Sequence, residues 1–450
     1  MNHLSVAYPS VGRAWYIVAL LTLAYIISFL DRQIMALLIE PIKMSLDLSD
    51  TQVGLLLGPA FAVFYVTLGY PAGMLADRKS RKAIVAAGIS VWCIMTALCG
   101  LARDFKQLFA ARVGVGVGEA TLTPAALSMI CDCFPPDRRA RPISVYMTGI
   151  SLGSALAYLI GGQLLEPLLA MPPLNIPVLG VVHPWQAAFL IVGLPGLVLA
   201  ILIAAIREPA RQELNRALEA STARQARMTA LSYMGERWQA YSSLTIGMCA
   251  NTIIGYVASW NVVLFQRRWD WGIAEIGVAL GSILIVFGPL GTLCGGALAD
   301  RMARAGLKDA AMRVTIAAIV VMVVFTVAYP VTDSPLVVLG LYAVAVAAAA
   351  AASATGAVAL LALSPNQIRA QATALYWIVK NLAGLMLGPL SVGLLTDRVF
   401  DDPARVGSSM ALASAIFGIL GIAALVMGFR HYRACAEGTH GNRTSQRPEG

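Results

Sequence analysis

The chain has 450 residues, 58% of them hydrophobic and only 13% charged, where a soluble domain carries roughly 45–50% apolar and about 25% charged residues. That composition excludes a disordered chain, a fibrous repeat and nearly every water-soluble enzyme class. The formal net charge of +9 leaves a polyanion and a membrane surface both open as partners, and only the placement of the basic residues decides between them.

Apolar runs separated by charge clusters recur twelve times along the chain. They predict membrane-spanning helices over 14–39, 51–76, 83–102, 107–131, 143–165 and 186–206, and, after a polar stretch, over 242–266, 273–299, 312–330, 335–363, 371–396 and 407–429. A bilayer crossing needs about 20 predominantly apolar residues, and each run supplies that length. The first run begins after Arg13 and continues without a cleavage site, so it reads as an uncleaved span. The polar stretch 207–238 mixes charges with Ala and Leu and is expected to be a cytoplasmic helix between two halves. From Ala434 onward the tail is polar and Gly-bearing and is expected to be irregular. The expected division is therefore a six-helix bundle over 1–206, a linker over 207–240, a second bundle over 241–430 and a tail over 431–450.

With the N-terminus placed in the cytoplasm, 23 Lys and Arg fall on that side, 7 on the other and 3 within spans. Basic loops resist translocation, so the positive charge is a topology signal and nucleic acid drops out as a partner. Both termini are expected in the cytoplasm, in a cell membrane of bacterial type. The seven Cys form no CxxC pair and the four His are scattered, which gives no disulfide framework, metal site or cofactor to expect. No Gly-x4-Gly-Lys-Ser/Thr loop and no paired catalytic His and Asp occur, so neither ATP drive nor an enzyme is expected.

Two internal echoes point to duplication. Gly73-Met-Leu-Ala-Asp77-Arg78 returns 223 residues later as Gly296-Ala-Leu-Ala-Asp300-Arg301. Pro135, Arg139, Ala140 and Tyr146 return at an offset of 230 as Pro365, Arg369, Ala370 and Tyr376. The expected fold is an all-α membrane protein of twelve transmembrane helices in two pseudo-symmetric six-helix bundles, an architecture that serves alternating access.

Charge inside the hydrocarbon is expensive and marks function by default, so the residues left within spans carry the argument. Arg112 and Glu119 lie seven apart on one helix face, separated by about 10 Å of rise, and Gly114 and Gly118 between them permit a close helix approach. Asp31 and Arg32 are neighbours and point about 100° apart, so each needs a partner elsewhere. The economical arrangement is a cluster of Asp31, Arg32, Arg112 and Glu119, either functional or a static salt-bridge network. Span 11 adds Lys380 and Asn381, and span 7 adds Asn251, Tyr256, Trp260 and Asn261, which can line a cavity from the second half. Lys380 can instead be structural or snorkel, and the aromatic residues can instead be interface anchors. The Ala-rich stretch 343–355 reads as a packing face without chemistry.

In the 73–82 run, Gly73 permits helix approach, Asp77 offers an acceptor, and Arg78, Arg81 and Lys82 offer donors. This run resembles the signature loop of the major facilitator superfamily, with Ser80 where the family usually has Gly. The resemblance implies a cytoplasmic gate formed by Gly73, Asp77, Arg78 and Arg81 and repeated at Asp300 and Arg301. The stretch from Arg112 through Glu119-Ala120, Pro124, Asp132, Phe134, Arg138, Arg141 and Tyr146 to Gly153–Tyr158 and Gly161-Gly162, with Asp31-Arg32 and Arg207-Glu208-Pro209, resembles the spinster-like transporters of lysolipids and sphingosine phosphate. It implies proton coupling and substrate handling at Asp31, Arg32 and Glu119, with Arg112 as partner. The expected function is a proton-coupled secondary transporter of an amphipathic anionic lipid-like solute, whose head group Arg32 and Lys380 would attract. A proton-linked carrier of small organic anions such as sugar acids or carboxylates is the alternative, and a non-transporting receptor a remote one. A monomer is expected.

Overall fold

The computed structural model describes residues 8–135, 138–176, 180–211, 231–365 and 368–444. Among them, twelve helices are long and apolar enough to cross a bilayer. Spans 1 to 6 are Val11–Leu37, Asp50–Gly69, Arg81–Cys99, Phe105–Cys133, Ala140–Leu169 and Pro184–Ala205. Spans 7 to 12 are Trp238–Trp269, Ile273–Arg304, Ala310–Val331, Pro335–Leu363, Gln371–Phe400 and Pro403–Cys435. Each apolar run of the sequence falls on one of them. An antiparallel hairpin, β1 (Leu174–Ile176) with β2 (Gly180–Val182), joins spans 5 and 6 and pairs Leu174 with Val182.

Local chemistry sets the helix starts. Ser49 forms a capping box, its Oγ accepting from the Gln52 amide at 3.2 Å while Gln52 Oε1 accepts from the Ser49 amide at 2.9 Å. Asp104 caps span 4 by accepting from the Gln107 amide at 2.8 Å. Helix ends differ from expectation. The last helix, expected to stop at 429 with an irregular tail from Ala434, runs from Val406 to Thr444. Arg, Ala and Glu dominate 430–437, and no proline interrupts the backbone ladder before Pro448. Most of the linker helix expected over 207–238 lies outside the described residues; Arg207–Arg211 has no regular structure.

The chain divides into two compact units, Met1–Leu214 with Asn261–Ile285, and Asn215–Trp260 with Val286–Gly450. Lipid tails are as apolar as Leu, so close packing at small residues holds such helices together. In the first unit, a Cβ at Gly118 would stand 2.6 Å from the Trp92 nitrogen, and one at Gly153 would stand 2.7 Å from the Ile26 carbonyl. Gly73, expected to serve close approach, does not: a Cβ there meets Pro124 at an ordinary 3.7 Å. In the second unit, Gly291 lies against Ala347 and Gly421 against Ala250, where a Cβ would meet its neighbour at 2.0 and 2.4 Å. A core of Tyr241, Leu244, Met248, Met312, Ile319, Tyr376 and Leu425 fills the rest of that unit.

The duplication is visible in side-chain detail. Arg139 Nε donates to the Phe134 carbonyl at 3.0 Å, and Arg369 Nη2 to the Ser364 carbonyl at 3.4 Å, each reaching five residues back. Tyr146 and Tyr376, the other echoed positions, are both buried.

Candidate functional site

Among the described residues, three constellations of charged and polar side chains bear on the expected site, two within spans and one in the loop between spans 2 and 3. The first lies in the first unit, where spans 1, 3 and 4 meet. Arg32 donates through Nε and Nη2 to one oxygen of Glu119, at 2.7 and 2.6 Å, and the Ser28 hydroxyl donates to the same oxygen at 2.7 Å. Ser28 sits one turn before Arg32, so both reach span 4 from the same face of span 1. The rings of Phe29, Phe61 and Tyr65 stand 4.6, 4.5 and 4.5 Å from the Arg32 guanidinium carbon. Three aromatic faces stabilise the cation in place of water, and Glu119 is completely withdrawn from solvent.

Asp31 is fully buried on the other side of span 1. Its Oδ2 accepts from the Thr96 hydroxyl at 3.3 Å, while Oδ1 has no hydrogen-bond partner among the described residues. Arg112 is 2% exposed, with its guanidinium carbon 5.9 Å from the centre of the Phe61 ring that Arg32 also faces. Arg112 Nε and Glu119 Oε1 are likewise without partners among the described residues. The four expected residues gather around spans 1 and 4, but only Arg32 and Glu119 close into an ion pair, while Asp31 takes its hydrogen bond from Thr96. The adjacency of Asp31 and Arg32 does place them on different partners, as their 100° separation requires.

The second constellation is the loop between spans 2 and 3. Arg81 is buried and forms ion pairs with Asp132 and, at 2.9 Å, with Glu208, while its Nη2 reaches the Pro209 carbonyl at 2.7 Å. The Ser80 hydroxyl and the Arg81 amide also donate to Glu208, at 2.5 and 3.0 Å. Burial pushes the Glu208 carboxyl up, but Ser80 and Arg81 outweigh it and hold the group below the usual carboxylate range. Arg211 donates to the carbonyls of Ala76, Asp77 and Lys79, closing the free end of the span 2 helix. Asp77, Arg78, Asp300 and Arg301 have exposed side chains, so the repeated motif carries the buried arginine network in its first copy. Asp132, Glu208 and Arg211 were not singled out as gate residues in the sequence, because nothing in their spacing announces a contact with the loop.

The third constellation is a cavity of about 250 Å³ within the second unit, lined by Asn251, Thr252 and Tyr256 of span 7, Ser353 of span 10 and Lys380 of span 11. Asn251 Nδ2 donates to Ser353 Oγ at 2.9 Å. Lys380 is 5% exposed, with its ammonium 4.0 Å from the Trp377 ring centre. Asn381 does not line this cavity, and Asn261 is buried within the first unit. The Ala-rich stretch, expected to pack without chemistry, packs through Ala345, Ala348 and Ala352 and turns Ala349, Ala350 and Ser353 to the cavity.

Beyond these, Arg267 pairs with Asp50 at 2.7 Å and Glu40 at 2.8 Å in the first unit, and Lys43 also pairs with Asp50. An apolar groove of about 480 Å³ runs between spans 1, 5 and 6, lined by Ile27, Leu30, Ile34, Leu164 and Ile191 among others. No group of three or more His, Cys, Asp or Glu able to hold a metal occurs among the described residues.

The chain is similar to known transporters over nearly its whole length. A sequence profile of the Major Facilitator Superfamily matches residues 21–389. An MFS-type efflux pump of Mycolicibacterium smegmatis is 30% identical over 94% of this chain and 94% of its own. A probable L-galactonate transporter of Escherichia coli is 27% identical over 64% of this chain and 62% of its own. The crystal structure of a bacterial homolog to the human lysosomal transporter Spinster superposes with a TM-score of 0.76 at 26% identity, covering 95% of this chain and 98% of that one. Twelve spans, the duplicated loop motif and these matches together make the chain a multi-pass integral membrane protein that belongs to the Major Facilitator Superfamily of transporters and, within it, resembles the spinster-like branch.

Proposed function

We propose that the chain is a proton-coupled secondary transporter of organic anions, in which Glu119 and Asp31 take up and release protons and Arg32 alternates between Glu119 and the substrate. The observation that carries this reading is the Arg32–Glu119 pair, closed at 2.6 Å inside an aromatic cage and beside a second buried acid. Protonating Glu119 removes the charge that holds Arg32 and frees the guanidinium for an anion. Proton and substrate then occupy the site together, which is the condition for coupling them in alternating access.

Two substrate classes fit an arginine of this kind. An amphipathic anion of the lysolipid or sphingoid-phosphate type is favoured by the resemblance to the spinster-like branch and by the apolar groove between spans 1, 5 and 6. A small organic anion is favoured by the likeness to an L-galactonate transporter. In this reading the protein works as a monomer in a bacterial-type inner membrane, with both termini in the cytoplasm. The Asp77–Arg81 loop and its repeat at Asp300-Arg301 act as the cytoplasmic gate, with Gly73 at the helix end that carries it.

The test is anion uptake into proteoliposomes under an imposed pH gradient. Glu119→Gln and Asp31→Asn are each expected to abolish gradient-driven accumulation while leaving anion exchange across the membrane in place. Full accumulation in both variants would contradict the proposal.

A further inference from the structure

The cavity of the second unit holds two unmet demands, and they describe one ligand. Lys380 is 5% exposed and makes no ion pair or hydrogen bond among the described residues; the ring faces of Trp377, at 4.0 Å, and Tyr376, at 5.6 Å, and the Cys249 thiol lie near its ammonium. Asn251 is 4% exposed, and its amide nitrogen is committed to Ser353 at 2.9 Å. With that bond made, Asn251 Oδ1 is left as a buried acceptor with no donor among the described residues. Buried polar groups are satisfied as a rule, so an isolated ammonium and an isolated carbonyl beside one cavity call for an anion and a hydroxyl group from outside the chain.

We propose that this cavity is the subsite for the carboxylate of a compact hydroxylated acid, with Lys380 as counter-charge and Asn251 Oδ1 accepting from a substrate hydroxyl. The assignment rests on the organic-anion reading above and chooses within it. A phosphate lipid fits this cavity less well. Phosphate is best met by the planar fork of an arginine or by several cations, and among the described residues a single ammonium lines this cavity. A volume of about 250 Å³ lies just below the usual range for small-molecule sites and suits a compact solute. A carboxylate with a hydroxyl on a neighbouring carbon answers both demands in that space. Thr252 and Tyr256, which share the lining, add hydroxyls at the same wall.

Isothermal titration of the purified full chain in nanodiscs tests this, with lactate, glycerate, gluconate and glucuronate as probes and propionate, hexanoate and lysophosphatidate as controls. At least one hydroxy acid is expected to bind at least tenfold more tightly than the plain acid of the same carbon number. Lys380→Met should weaken that binding at least tenfold without lowering the melting temperature, because it removes a buried charge that has no ion pair to lose among the described residues. Asn251→Leu should bring the hydroxylated and plain acids to within about threefold of each other, while Asn251→Gln restores part of the preference. Failure of all four hydroxy acids to bind overturns the proposal, as does unchanged affinity in Lys380→Met. Loss of lysophosphatidate binding alone in Lys380→Met overturns it in favour of a phosphate head group. Proton flux separates this from the broader reading: anion-driven flux with normal affinity in Lys380→Met removes only the subsite, whereas the absence of proton flux with every anion of either class removes the transporter reading as well.

Discussion

Among the described residues Glu119 receives three donor contacts on one oxygen and none on the other, an asymmetry that leaves one face of the carboxylate open to a proton. Removing a single member of a buried ion pair leaves the other charge uncompensated, which typically costs about 3–5 kcal/mol. Arg32→Ala is therefore expected to lower the melting temperature by several degrees, and adding Glu119→Gln should recover part of that loss. Additive losses in the double variant, read by differential scanning fluorimetry, would show that the two side chains are not coupled. Glu208 makes a separate, pH-readable prediction. Its carboxyl is held below the usual range by Ser80 and Arg81 against the opposing effect of burial, so it stabilises the fold at any pH above its ordinary titration range. That contribution fades as the pH falls through its depressed folded-state pKa. Glu208→Gln should accordingly lower the melting temperature at neutral pH and flatten its decline in acid. Asp31, Arg32, Arg112 and Glu119 were legible in the sequence because charge in a hydrocarbon run has no packing purpose. Ser28, Thr96 and Ser353 were not, because a hydroxyl in a helix can satisfy itself on its own backbone and only the folded neighbour reveals its true partner.

At the scale of elements, the twelve spans were readable because bilayer thickness imposes their length. Their ends were not, because past the hydrocarbon the helix is limited by local propensity and capping rather than by hydropathy. The last helix illustrates this, continuing through a polar tail to Thr444. Glycines show the same divide. A Gly-rich pattern announces that helices approach somewhere, but Gly118 meets the Trp92 backbone while Gly73 meets nothing closer than 3.7 Å. Gly118→Ala is expected to destabilise the protein by about 1–3 kcal/mol, the usual effect of overpacking, and Gly73→Ala to leave it unchanged. Equal melting temperatures for the two variants would show that the close contact is relieved cheaply.

For the whole molecule, duplication was visible in two echoes at nearly one offset, and the arginines of the second echo, Arg139 and Arg369, make matching backbone contacts. The buried arginine network accompanies the first copy of the loop motif because Asp132 and Glu208 belong to the first unit. Sequence symmetry alone cannot signal that difference. The 23-to-7 division of basic residues sets the proposed orientation. A single cysteine replacing Lys106 in an otherwise cysteine-free chain should react with an impermeant maleimide in intact cells, and one replacing Lys308 should not; the reverse pattern would invert the topology. Coupling of protons to anions through Glu119 is the claim on which the functional account rests. Its most direct measurement is the pH change outside proteoliposomes on adding anion in weakly buffered medium. Alkalinisation on anion entry, absent in Glu119→Gln, is the expected result. Anion entry without any proton movement, or the same alkalinisation in Glu119→Gln, would contradict it.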